Sequence, residues 1–352
     1  MNRTNRWIVS WACLMAAVLT TAGIFGSTYA HESEYLHTMK EENEKRPVLL
    51  KEEQVNRQGS GANAIAFADL ADSVSMDVEI NLIERIRPNG GYSSSSMNSA
   101  TAQSLQQQLD TLVSDLCETY AIDEETTGIV IETLDGRVSY SMNPDEEYLA
   151  ASLYKLPLAV MWTDKQSDEG AKADKALRYD AYMYEENSVV ASRYAPGSLI
   201  PVEELLDQVI LTSDNTAGHV LFEHLGGWED YKALAKKRWP DHAQGRDFVS
   251  MDNVVTAGFM NDVLHEIAEN SEKYANVMQN MRLAQPEHYL NYKTDRPICQ
   301  KYGAYGAQVN GAGLNLEAEY PYVITIMTDD AAAEHFMGDL AAGVQKIFDP
   351  EQ

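Results

Sequence analysis

Between positions 105 and 120 the apolar residues fall at Leu105, Leu109, Leu112, Val113, Leu116 and Cys117, a helical spacing that predicts an amphipathic helix. Residues 127–133 (Thr-Gly-Ile-Val-Ile-Glu-Thr) predict a strand, Leu134-Asp135-Gly136-Arg137 a hairpin turn, and 138–142 its partner strand. A second apolar helical pattern opens at Ser152, and it tolerates Pro157 only if that residue falls within the first turns. Residues 164–197 are polar, acidic and irregular. Helical periods return at 202–212 and 216–225, on either side of Ser213-Asp214-Asn215, and again at 228–237, 254–268 and 272–281. Residues 298–310 and 322–328 read as strands, and 331–348 as a closing helix. That order predicts an α/β (α+β) domain: one sheet formed by both ends of the segment, with a helical lobe inserted between them.

The pattern is different ahead of residue 101. Arg3 and Arg6 precede a run from Trp7 to Phe25 that is apolar except for Ser10, Thr20 and Thr21, and Thr28-Tyr29-Ala30 offers a small-x-small cleavage site. Residues 1–30 therefore read as an export segment, either a cleaved signal peptide or an anchor in which 7–25 spans the membrane. Both versions place the remainder outside the cytoplasm, secreted or held on the outer face of the membrane. Residues 31–100 carry Glu32, Glu34, Glu41, Glu42 and Glu44, then Gln58-Gly59-Ser60-Gly61, Asn89-Gly90-Gly91 and four serines at 93–96. This is the composition of an acidic flexible spacer, with a more apolar patch at 64–83. The domain proper is expected over 101–352.

Charge narrows the partners. The chain has 352 residues, with 54 acidic against 27 basic, a formal net charge of −27. Such a surface repels phosphate backbones and excludes nucleic acid as a partner. Of the cysteines, Cys13 lies in the export segment, leaving Cys117 and Cys299 as either a disulfide or two inert buried thiols. No C-x-x-C and no H-E-x-x-H occurs and the eight histidines are scattered, so no metal site is expected.

The candidate chemistry starts at Ala150-Ala151-Ser152-Leu153-Tyr154-Lys155. Residues three apart share a helical face, so the Lys155 ammonium can reach the Ser152 hydroxyl. A helix start also offers unpaired amides and partial positive charge to an oxyanion. By itself S-x-x-K recurs by chance, and it describes any surface Ser and Lys opening a helix. Two further elements join it: Ser213-Asp214-Asn215 between two helices and Lys301-Tyr302-Gly303 on a strand. The former alone is an ordinary N-cap turn and the latter an ordinary strand edge. The glycines of 303–313 form no G-x-x-x-x-G-K-[ST] phosphate loop.

In this order and these settings, the three elements resemble the signature of the class A β-lactamases and the wider superfamily of penicillin-recognising serine hydrolases, S-x-x-K with S-D-N and K-T-G. The resemblance runs over about 106–348 and takes in Glu204-Leu205-Leu206, the run 210–217 and the stretch 306–314. It implies an antiparallel sheet flanked by helices beside an all-helical lobe, with the site between. It further implies that Ser152 is the nucleophile and that Lys155 takes or relays its proton, helped by burial beside Lys301. Ser213 would pass the proton to the leaving nitrogen, and Asn215 would hold a substrate amide or brace Lys155. Lys301 would keep the site positive and bind a substrate carboxylate with Tyr302 and Gly303 beside it. The amides of Ser152 and Ala304 would form the oxyanion hole. The substrate implied is a small β-lactam or a peptidoglycan-derived amide, and no cofactor is needed beyond side chains and water.

Three departures qualify that expectation. Tyr302 stands where the family has threonine. Residues 302–345 hold no Lys or Arg, whereas family members often place an arginine near this strand for the β-lactam carboxylate. The glutamate that activates water for deacylation, in an E-x-x-L-N pattern, has no match in its expected place. Glu287-His288-Tyr289-Leu290-Asn291 fits the letters but lies just before Lys301, and Asp241 of Trp239-Pro240-Asp241 is the nearest substitute, ahead of Glu223, Glu229 and Asp247. Acylation with slow deacylation is the chemical consequence. A peptidase or esterase of the same fold and a non-catalytic wall-binding or sensor domain are the alternatives.

Overall fold

Asn98 caps helix α1 (Ser99–Tyr120), its side chain accepting from the Thr101 amide at 2.9 Å. A computed structural model of the protein describes residues 97–242, 253–330 and 333–350. The export segment, the spacer through residue 96 with its apolar patch, and Asp247 lie outside the described residues. After α1, strands β1 (Thr127–Thr133) and β2 (Ser139–Met142) pair as an antiparallel hairpin that turns at Gly136, φ 68°. Strand β3 (Glu147–Leu149) leads into a 3-10 turn, Ala151–Tyr154, and directly into α2 (Lys155–Glu169). Pro157 is the third residue of α2, where a backbone amide has no helical partner to lose.

The helical middle contains more order than the polarity of 164–197 predicts. Helix α2 continues to Glu169, and β4 (Ala176–Arg178), α3 (Val189–Arg193) and β5 (Leu199–Pro201) follow, with β4 and β5 paired antiparallel. The polar residues there serve caps and ion pairs, which periodicity does not register. Next come α4 (Val202–Leu211), α5 (Asn215–Glu223) and α6 (Trp228–Arg238). The single helix expected over 254–268 begins instead as β6 (Val254–Thr256), paired with β3, before α7 (Ala257–Glu269) and α8 (Ala275–Leu283). Thr256 caps α7 by accepting from the Phe259 amide. The strand expected over 298–310 is really two, β7 (Cys299–Tyr305) and β8 (Gln308–Asn315), reversing at Gly306, φ 63°. β9 (Tyr322–Thr328) and α9 (Glu334–Phe348) complete the chain.

One five-stranded antiparallel sheet, ordered β2-β1-β9-β8-β7, joins the two ends of the domain. Alternation along its strands feeds two cores. Ile129 and Ile131 of β1, with Tyr322, Ile324 and Ile326 of β9, pack against Leu109 of α1 and Phe336 and Leu340 of α9. Val130, Val323 and Met327 face the other way, into a core with Leu158, Leu205 and Phe259. Both faces of β9 are covered, so its residues are buried throughout and its pattern, broken only by Thr325 and Thr328, does not alternate. Each such side chain contributes roughly 1.5–3 kcal/mol by leaving water.

β7 is one of the two edge strands of the sheet, and the 3-10 turn lies along it. The approach is closest at Gly303, where a Cβ would stand 2.6 Å from the Ala150 carbonyl oxygen and 2.9 Å from the Ser152 nitrogen. No other residue type fits between strand and turn. Cys117 on α1 and Cys299 on β7 are free thiols, and burial pushes the Cys299 thiol up to about 11.

Candidate active site

Four elements converge on the Lys155 ammonium. The 3-10 turn presents Ser152, whose Oγ accepts from Lys155 Nζ at 3.1 Å. The turn between α4 and α5 brings Ser213, whose Oγ accepts from Lys155 at 3.2 Å and whose carbonyl oxygen accepts as well. The first residue of α5, Asn215, accepts through Oδ1 at 2.5 Å. From β7, Lys301 Nζ donates to the same Ser213 Oγ at 2.9 Å. All three sequence motifs thus meet, and Ser213 bridges the two lysines.

Local structure explains how each group arrives. Ser213 sits in the left-handed region, φ 55°, and this aims both its carbonyl and its hydroxyl at Lys155. Ala151, one residue before Ser152, is also left-handed, φ 48°. Such non-glycine conformations cost about 1–3 kcal/mol each and persist where surrounding contacts impose them. Asp214 imposes the first. It is the N-cap of α5, accepting from the Ala217 amide at 2.8 Å, and it also accepts from the Ser188 hydroxyl and the Val190 amide. The N-cap reading of Ser213-Asp214-Asn215 therefore holds for Asp214, while its two neighbours face Lys155.

Ala151 is held from two directions. Asn253 Nδ2 donates to the Ala151 carbonyl at 2.6 Å, and Asn310 Nδ2 on β8 donates to the Leu149 carbonyl at 2.9 Å and to that of Ala150 at 3.3 Å. Asn310 also accepts from the Thr328 amide of β9, tying the turn to the sheet. The Tyr231 hydroxyl donates to the Tyr154 carbonyl at 2.7 Å. Sequence reasoning missed all three residues. Only Asn310 left a signal, an amide inside an apolar strand, fully buried in the structure.

Both lysines are completely buried. Burial, and then the charge of Lys155, hold the Lys301 ammonium well below the usual lysine range. Its hydrogens go to Ser213 Oγ, to the Tyr302 carbonyl at 2.7 Å, and toward the Tyr302 ring, 4.1 Å to the centroid. That ring stacks on Tyr289 at 4.7 Å and 16°, and its hydroxyl accepts from Gln285 at 3.4 Å. Gly303 provides the close approach described above, and Ala304, next along β7, is exposed. Among the described residues no three His, Cys, Asp or Glu side chains are grouped to hold a metal.

The model of the β-lactamase enzyme family matches residues 104–348, all three motifs included. The chain belongs to this family. Solved structures with the same fold include a PBP-A variant seen as an acyl-enzyme complex with penicillin G (21% identity over 70% of this chain and 96% of that one, TM-score 0.56). A β-lactamase from Xanthomonas campestris is 16% identical over 69% of this chain and 98% of its own, TM-score 0.56. The TLA-1 extended-spectrum β-lactamase is 20% identical over 68% and 98%, TM-score 0.58. No curated protein sequence matches the chain. Against the family pattern, the carboxylates considered for water activation that lie among the described residues make their contacts elsewhere or stand in solvent. Asp241, Glu229 and Glu287 are exposed, and Glu223 accepts from the Tyr182 hydroxyl and lies 3.9 Å from His219. Within 287–291, Asn291 is buried and bonded to Ile298, a structural role for the E-x-x-L-N look-alike.

Proposed function

We propose that this β-lactamase-family protein is an exported serine hydrolase acting by acyl transfer through Ser152 on a β-lactam or a peptidoglycan-derived amide. The observation that carries the reading is the bond from Lys155 to Ser152, in a centre where two buried ammonium groups share Ser213. Lys155, hydrogen-bonded to Ser152, takes or relays the Ser152 proton as Oγ bonds to the substrate carbonyl carbon. The amides of Ser152 and Ala304 hold the resulting oxyanion; removal of one such donor costs about 10²–10³ in rate. The C–N bond then breaks, and the proton returns from Lys155 through the Ser213 hydroxyl to the leaving nitrogen. Asn215 holds Lys155 in place. Export rests on the 1–30 segment and places the domain outside the cytoplasm.

A second reading, a covalent penicillin-binding domain with little turnover, is favoured by the placement of Asp241, Glu223, Glu229 and Glu287. A site in which none of them activates water keeps its acyl-enzyme. An intact-mass time course of the full chain in excess benzylpenicillin, beside Ser152→Ala, separates the two. A transient adduct on wild type supports turnover, and a persistent one supports the second reading. An adduct of equal yield on Ser152→Ala would sink both.

A further inference from the structure

We infer that the site selects acyl donors carrying no carboxylate beside the scissile bond, and that Tyr302 sets this preference. The inference deepens the reactive-serine reading and rests on it. An ammonium has three hydrogens. Those of Lys301 meet Ser213 Oγ at 2.9 Å, the Tyr302 carbonyl at 2.7 Å and the Tyr302 ring at 4.1 Å. A substrate carboxylate seeking Lys301 finds the electron-rich face of a tyrosine in its place, and that face repels an anion as it attracts a cation.

The ring is not free to withdraw. Tyr289 stacks on it at 4.7 Å and 16°, and Gln285 donates to its hydroxyl at 3.4 Å. Tyr289 belongs to a 3-10 turn, Tyr289–Asn291, that is itself anchored: its backbone amide donates to Glu334 at 3.2 Å, and Asn291 bonds the backbone of Ile298 at both its amide and its carbonyl. Nor does the strand supply another cation, because residues 302–345 contain no Lys or Arg. Lys301 is fully buried, and the chain's net charge of −27 opposes anionic substrates at longer range. The substrate class that fits is a neutral acyl donor: an internal amide or an ester, as opposed to a bond next to a free C-terminal carboxylate.

Benzylpenicillin and its methyl ester differ only at this carboxyl group. Rates of Ser152 acylation by the two, followed by intact mass on the full chain, test the inference without any variant. The ester is expected to react faster by about tenfold or more. Tyr302→Thr should shift the ester-to-acid ratio toward the acid by about tenfold, while Tyr302→Phe, which keeps the stacked ring, should leave the ratio in place. An acid that reacts as fast as the ester, or a ratio unmoved in Tyr302→Thr, overturns the inference. A fluorophosphonate adduct on wild type but not on Ser152→Ala, with neither penicillin reacting, overturns it and leaves the reactive serine standing. If no reagent labels Ser152, the reactive-serine reading falls with it.

Discussion

Helix α2 carries one ionic cluster at its start and another further along, and the two are built on opposite rules. At its start, the contacts of Lys155 with Ser152, Ser213 and Asn215 all go to neutral oxygen atoms, and a second lysine is bonded to Ser213. Further along, Asp164 meets Arg238 and, at 2.6 Å, Lys273, while Glu266 pairs with Arg238 and the Tyr274 hydroxyl donates to Asp164 at 2.8 Å. The second cluster balances two acids against two bases and joins α2, α6 and α7. Burial raises the Asp164 carboxyl pKa, but Lys273, Tyr274 and Arg238 outweigh it and leave the pKa below the usual carboxylate range. In the first cluster, burial and then the charge of Lys155 hold the Lys301 ammonium well below the usual lysine range. A charge-matched, partly exposed cluster holds helices together, whereas a fully buried, cation-rich one lowers amine basicity.

The contrast predicts a double dissociation. Lys155→Met should slow acylation of Ser152 by about 10²–10⁴-fold, the usual contribution of a positioned base. Its cost to the fold should stay under about 1 kcal/mol, since a buried charge beside Lys301 is removed. Single-turnover acylation and urea melts read the two quantities, and a large loss of stability would break the comparison. Asp164→Ala should do the reverse. Leaving Arg238 and Lys273 short of a partner in a mostly buried setting should cost about 3 kcal/mol, with acylation changed less than about twofold.

Smaller effects belong to the scaffold around Ser152. Gly303→Ala drives a methyl group against the Ala150 carbonyl and should cost about 1–3 kcal/mol as overpacking, while slowing acylation. Asn310→Ala strips partners from the Leu149 carbonyl and the Thr328 amide and should cost about 1–3 kcal/mol. Equal acylation rates in wild type and both variants would show that the sheet does not position the turn.

The least dramatic test is pH. A carboxyl whose pKa is lowered on folding stabilises the fold above its unfolded value, about 4, and that contribution fades as pH falls through the lower folded value. The stability gap between wild type and Asp164→Asn should therefore be full near neutrality and shrink steadily below about pH 4. A gap that is constant with pH would mean that Asp164 acts by shape alone.

Much of the fold was legible along the chain because periodicity records which faces are buried. The boundaries of β1 and β9 and the helices around Ser213 follow from it. It failed where polar residues are satisfied by distant partners, as in α2 beyond Asp164, and where a three-residue strand such as β6 is shorter than any period. The three motifs named Ser152, Lys155, Ser213, Asn215 and Lys301, since local spacing and residue type suffice to mark them. Sequence alone also set the charge balance and the absence of any Lys or Arg from 302–345. What only the tertiary structure decided is how these residues meet: Ser213 between two lysines, Asn310 on the turn before Ser152, and the Tyr302 ring folded over Lys301 onto Tyr289. Those contacts span up to 161 positions of chain, and they form only when the two ends of the domain close one sheet, a long-range event that no local pattern records.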